Sequence, residues 1–193
     1  MSWNLIIGLI VVMIFLFNLI APFIIFRIQR IPARIQFLAV DESDFLEERS
    51  ERFHDLHNQK KNLGFRYIGS SALPDTHNIA YFSLYSNDAD RTTGMLITMA
   101  NKVKSFTYAE FSQLYSDGTM LDVSNASVVS AYPRITQKIA ARFPNINELD
   151  KLYGILLKIK SSIKNTADPI GYRPEFGFSK VEEFIARESD ELV

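Results

Sequence analysis

The chain has 193 residues, 21 of them basic and 22 acidic, with a net charge of -1, 47% hydrophobic residues and no cysteine. That excludes a disulfide framework, cysteine-ligated zinc, an iron–sulfur cluster and a thiol nucleophile, and the near-neutral charge removes the usual argument for nucleic acid. The length suits one domain plus an accessory segment.

The first element is apolar. Leu5 to Phe26 carries no charge over 22 residues, and 17 of these are Leu, Ile, Val or Phe. As a helix it would reach about 33 Å, against roughly 30 Å of bilayer hydrocarbon. Asn18 and Pro22 subtract from its apolarity without reversing it. The run is too long for the core of a cleaved signal peptide, and Met1–Asn4 supplies no basic flank. A retained transmembrane anchor is expected, with the lipid bilayer as partner through residues 5–26. The first acidic residue is Asp41, and Arg27, Arg30 and Arg34 follow the apolar run. Basic residues stay on the cytoplasmic side, so the expected topology is single-pass, with the N-terminus out and the rest in the cytoplasm. Residues 1–34 form the anchor and its basic flank, and residues 35–193 the folded domain.

Pro32 is expected to break the helix. A helix is then expected over about Ser43–Asn62, capped by Asp41 or Ser43 and closed by Lys60, Lys61 and Gly64. Five strands follow: Phe65–Leu73, Ile79–Ser86, Gly94–Val103, Phe106–Tyr115 and Thr119–Asn125. Asp117-Gly118 reads as a two-residue hairpin turn with positive φ at both positions. Short adjacent strands of this kind imply an antiparallel meander. Asn147 should cap a helix to about Lys164, with Leu149, Leu152, Leu156, Ile159 and Ile163 on one face. A Pro/Gly loop spans 165–178. Ser179-Lys-Val-Glu182 fits a capping box opening a last helix through Glu188. The expected fold class is α+β: the anchor, then a meander of about five strands packed with one N-terminal and two C-terminal helices.

The motifs carry little chemistry. Glu51, His54 and His57 have metal-ligand character, but steps of three drift around a helix, and solvated surface is the plainer reading. Neither a nucleophile elbow nor a phosphate-binding glycine loop occurs, and His77 sits in a turn. Asp117, Asp122 and Asn125 lie close in sequence, and Asn125-Ala-Ser matches a glycosylation triplet. The tail from Glu188 reads as a frayed terminus or a peptide-domain ligand. No metal or other cofactor is expected. The aromatic strands offer the better candidate: Tyr81, Tyr85 and Tyr108 would line a ligand or lipid pocket, with Tyr172 and Arg173 on its rim. The expected role is a non-catalytic accessory, interaction or ligand-binding domain held at the membrane, with a membrane-protein partner. The alternatives are an enzyme acting on a membrane-associated substrate, built from Glu51, His54, His57, Asp117, Asp122 or Arg173, and a carrier of lipid or small amphipathic ligands.

Overall fold

Strands joined mostly antiparallel in chain order build the body of this protein. The structure, a computed structural model, describes residues 3–28, 34–40, 42–74, 79–100, 104–127, 137–163 and 167–190. Pro32, Asp41, His77 and the last three residues lie outside these. The chain divides into two units, Met1–Ala33 and Arg34–Val193.

The first unit holds helix α1, Trp3–Ile28, 26 residues long. Phe15, Phe17 and Met13 are 68%, 73% and 63% exposed. Asn18 returns its side-chain amide to the Ile14 carbonyl at 2.9 Å. Among the described residues no helix is long and apolar enough to cross a membrane. Within α1, the side chains at 4, 5, 9, 11 and 22–28 lie outside the description, although 26 residues of helix backbone reach about 39 Å. The transmembrane anchor is thus an expectation of the sequence that the described residues do not establish.

The second unit is a mixed α+β domain. Its eight-stranded sheet runs in the order β1 (Leu38–Ala39), β2 (Arg66–Pro74), β3 (Ile79–Asn87), β4 (Thr92–Ala100), β5 (Ser105–Tyr115), β6 (Met120–Ser124) and β7 (Lys138–Arg142), with β8 (Pro169–Ile170) paired to the end of β5. The meander β2–β6 is antiparallel, as its short connections require. The sheet exceeds the expected five strands because β7 lies parallel to β6, and β1 and β8 add two-residue edges. Neither two-residue strand has enough sequence to show a period.

One helix was expected over Ser43–Asn62, and two occur: α2 (Glu42–Glu47) and α3 (Glu51–Asn62). Ser50 makes the break. Its hydroxyl accepts from Phe53 N at 3.3 Å, which favours a new N-terminus over continuation. The 116–118 turn also differs from expectation. Only Gly118 has positive φ, at 84°. Gly118 N donates to Tyr115 O and Tyr115 N to Thr119 O, so three residues close the hairpin with a glycine bulge.

Helix α4 (Leu149–Ser162) starts after Glu148, which gives no side-chain cap. Asn147 instead accepts from Arg52, and Gln59 Oε1 on α3 accepts from Leu149 N at 2.8 Å. The cap comes from a neighbouring helix. Helix α5 runs Ser179–Asp190. Its expected capping box is not made, because Ser179 Oγ donates to Phe176 O and Glu182 accepts from Phe37 N.

Helices α2, α3 and α4 cover one face of the sheet. Phe53, Leu56, Leu149, Leu152 and Leu156 are buried there against Tyr85, Leu96, Phe111, Leu121 and Val123. Burying five such helix side chains favours the fold by about 1.5–3 kcal/mol each before entropy is counted. The opposite face meets α5 and its approach: Phe37 packs between Phe82 and Phe178, and Lys138 lies near the Phe184 ring.

Candidate functional site

Three polar constellations stand out, one on each face of the sheet and one at a turn and loop beside it. On the helix-covered face, Tyr67, Ser70, Ser83 and Tyr85 share a side through the β2–β3 register. Tyr67 donates its hydroxyl to Ser70, and Ser70 and Ser83 share a hydrogen bond, both at 2.7 Å. Tyr85 joins Ser83, and its hydroxyl lies 2.8 Å from His57 Nδ1. Burial, and then Tyr67, drive the Tyr85 hydroxyl far above its ordinary range. Burial, followed by the charges of Lys61 and His54, holds His57 below the usual imidazole value.

Beside this chain lies Lys60, wholly enclosed. Its Nζ is 3.7 Å from the Phe111 ring centre and donates to the Glu110 carbonyl at 2.9 Å. Phe65 and Tyr85 complete an aromatic box, and burial pushes the amine well below its ordinary range. Gly94 makes the space: a Cβ there would collide with Lys60 Nζ.

On the opposite face, Glu110 on β5 and Asp122 on β6 are hydrogen-bonded through their carboxyls. Asp122 is 6% exposed and accepts from Ser112 Oγ at 3.1 Å. Burial raises both acids, and Glu110 raises Asp122 further by its charge, while Lys138 pulls both back. Lys138 in turn pairs with Glu188 of α5 at 3.0 Å. Two adjacent buried carboxyls hold one proton between them rather than ionise together.

The third place is open to solvent. A depression of about 660 Å³ is lined by Arg66, Asp88, Arg91, Ile170, Gly171, Tyr172, Arg173, Pro174 and Glu175. Three arginines and two acidic residues are among its lining. Arg66 pairs with Asp88 at 3.3 Å. Arg91 has φ 55° in the turn between β3 and β4. That turn is held from several sides: Gln113 donates to Arg91 O, Lys160 to Asp90 O, and the Tyr153 hydroxyl to Asp90 at 2.6 Å. Tyr172 donates to Gly177 O at 2.6 Å, and its hydroxyl is raised to about 12, chiefly by burial.

Of the five residues expected to bind ligand, the structure brings together Tyr172 and Arg173. Tyr81 stacks under the Arg49 guanidinium, 4.0 Å from its ring centre. Tyr85 is 0% exposed, and Tyr108 lies on the opposite face near Glu110 and Asp122. Asp117, Asp122 and Asn125 do not converge: Asp117 accepts from Thr119 N in the hairpin turn, and Asn125 bridges Ala109 N and Ile146 O. Glu51 and His54 are exposed while His57 turns inward. Glu188 is buried in its ion pair, not frayed.

Sequence reasoning passed over Lys60, Glu110, Arg66 and Arg91. Lys60 read as a helix C-cap charge, and only the aromatic run on the strands hinted at its box. Glu110 sat in a strand whose two faces both looked mixed, which was the available signal. No protein-family model, curated protein or solved structure matches this chain.

Proposed function

We propose that the protein is a single-pass, membrane-anchored binding module: α1 lies in the bilayer with its N-terminus out, and the α+β domain works without catalysis on the cytoplasmic side. The observation that carries this reading is the outward display of large apolar side chains along α1, Val12 through Phe17 all being 47–73% exposed. In water such a surface is unfavourable by about 25 cal/mol per Å², and lipid removes that cost. The Asn18 bond to Ile14 O supports the same reading, because a polar side chain in hydrocarbon must find its partner within the protein. The charge asymmetry after Phe26 sets the orientation. Tethering raises the effective concentration of the domain toward membrane components, a benefit that needs no reaction.

The binding reading rests on the contrast between the enclosed polar groups and the open depression. His57, Lys60, Glu110 and Asp122 each have a partner inside the fold, whereas Arg173 is exposed at the rim. The expected outcome on cell fractionation is that the full chain resists alkaline carbonate and is released by detergent. A reporter fused after Val193 that works only outside the cytoplasm should be silent. Release by carbonate alone would overturn the anchor, and an active reporter would reverse the topology.

A second reading, an enzyme on a membrane-associated substrate, is favoured by one observation: Glu110 and Asp122 are a proton-sharing pair of the kind used in general acid–base catalysis. Turnover in a hydrolase and transferase screen that Asp122→Asn abolishes would establish it in place of the binding role.

A further inference from the structure

We infer that the depression around Arg66, Arg91 and Arg173 binds a phosphate ester, the phosphate meeting the guanidinium groups and the organic part resting on Tyr172. This deepens the binding part of the proposed function and rests on it, but not on the anchor. The three arginines come from three segments: the start of β2, the β3–β4 turn and the loop before Pro174. All three line one depression of about 660 Å³. A planar carboxylate takes forked N–H pairs in its own plane, whereas a tetrahedral phosphate offers oxygens to several directions at once.

Charge sets the ligand further. Three guanidinium groups against Asp88 and Glu175 leave the lining with a positive excess, which attracts an anionic phosphate ester, whether a diester with one negative charge or a monoester with about -1.5 to -2 near neutral pH. The site is partly pre-organised. Arg66 is steadied by Asp88, and Arg91 Nη1 donates to the Pro169 carbonyl at 3.3 Å, leaving its other N–H groups for a ligand. The Arg91 backbone sits in the left-handed region, costly for a residue with a side chain, and Gln113, Lys160 and Tyr153 hold its turn there. Tyr172 has its hydroxyl committed to Gly177 O, so the ring, rather than the phenol oxygen, is what it offers.

A phosphate ester reaches such a site either as a phospholipid headgroup or as a free small molecule. The test uses the full chain in maltoside detergent, which carries no phosphate, titrated with glycerol phosphate by calorimetry, beside acetate as the carboxylate control. Saturable glycerol phosphate binding is expected, weakened roughly tenfold or more in Arg173→Gln and in Arg91→Gln. It should be partly retained in Arg173→Lys, which keeps charge but loses the fork, and unchanged in Arg52→Gln, whose partners are Asp55 and Asn147. Adding phosphatidylglycerol to the micelles separates the sources: competition that depends on Arg173 assigns the lipid headgroup, and no competition assigns the free ester. The inference is overturned by the absence of saturable binding, by binding indifferent to Arg173, or by acetate binding equally well. Arg173 is an exposed loop residue, so Arg173→Gln decides the matter even where Arg91→Gln disturbs its turn. Failure here leaves carbonate resistance untouched, and loss of carbonate resistance leaves the arginine dependence untouched.

Discussion

Replacing Asp122 by Asn tests the carboxyl pair most directly, because the amide keeps the shape, cannot ionise, and can still donate to Glu110. Burial first, and then the Glu110 charge, raise the Asp122 carboxyl. The folded state therefore holds its proton more tightly than the unfolded chain. The sign follows: the stability contributed by the protonated carboxyl is fully present below the unfolded value near pH 4 and is lost as pH rises through the raised value. Each tenfold gain in proton affinity on folding makes that loss about 1.4 kcal/mol. A ceiling comes from Coulomb's law: two unit charges roughly 4 Å apart at an effective dielectric near 20 repel by about 4 kcal/mol. Asp122→Asn is thus expected to be near neutral at pH 4 and to stabilise the domain at pH 8, by no more than about 4 kcal/mol. The assay is denaturant unfolding of the full chain in non-ionic detergent at several pH values, followed by near-ultraviolet circular dichroism. Glu110→Gln should show the same sign, since burial raises that acid too. A difference from wild type that stays flat, or falls, between pH 4 and pH 8 would refute the shared proton.

Three further substitutions probe the packing, each read by the same unfolding measurement. Ser86 is 1% exposed and its hydroxyl is the buried side-chain oxygen without a partner among the described residues, so Ser86→Ala should stabilise by about 1–2 kcal/mol; destabilisation would mean the hydroxyl is paired. Gly94→Ala places a Cβ into Lys60 Nζ and within 3.3 Å of Phe65, and should cost about 1–3 kcal/mol; in a Lys60→Met background part of that loss should disappear, since the clash with the amine is gone. Tyr153→Phe removes hydrogen bonds to Asp90 and Thr92 at 2.6 and 3.0 Å and should cost about 1.5–3 kcal/mol, the upper end reflecting a charged acceptor. A loss below about 0.5 kcal/mol would mean that the turn carrying Arg91 is held without it.

Local pattern and tertiary context divided this protein between them along a clear physical line. The five meander strands were legible because alternation and turn residues are properties of neighbours in the chain, and Gly118 was legible as a turn because positive φ suits glycine. The stripe of Leu149, Leu152 and Leu156 announced a helix that buries that side. What depended on distant partners was not legible. Ser50 split a helix by capping from within it, Gln59 replaced Asn147 as the cap of α4, and Phe37 drew Glu182 away from its capping box. Residues 125–137 separate strand β7 from β6 in the chain, and its parallel pairing joins positions far apart in sequence. The candidate site follows the same division. Tyr172 and Arg173 stood out as polar-aromatic residues in a Pro/Gly loop, yet Arg66 and Arg91 join them only because a sheet corner and a turn meet that loop. Glu110 and Asp122 become a proton-sharing pair only when β5 and β6 align side by side and α5 brings Glu188 to Lys138. Charge, apolarity and period are written residue by residue, so the sequence alone determined the strand-rich α+β class and the apolar N-terminal helix. Which polar groups meet is set by the register of chains far apart in sequence, and that only the folded arrangement decided.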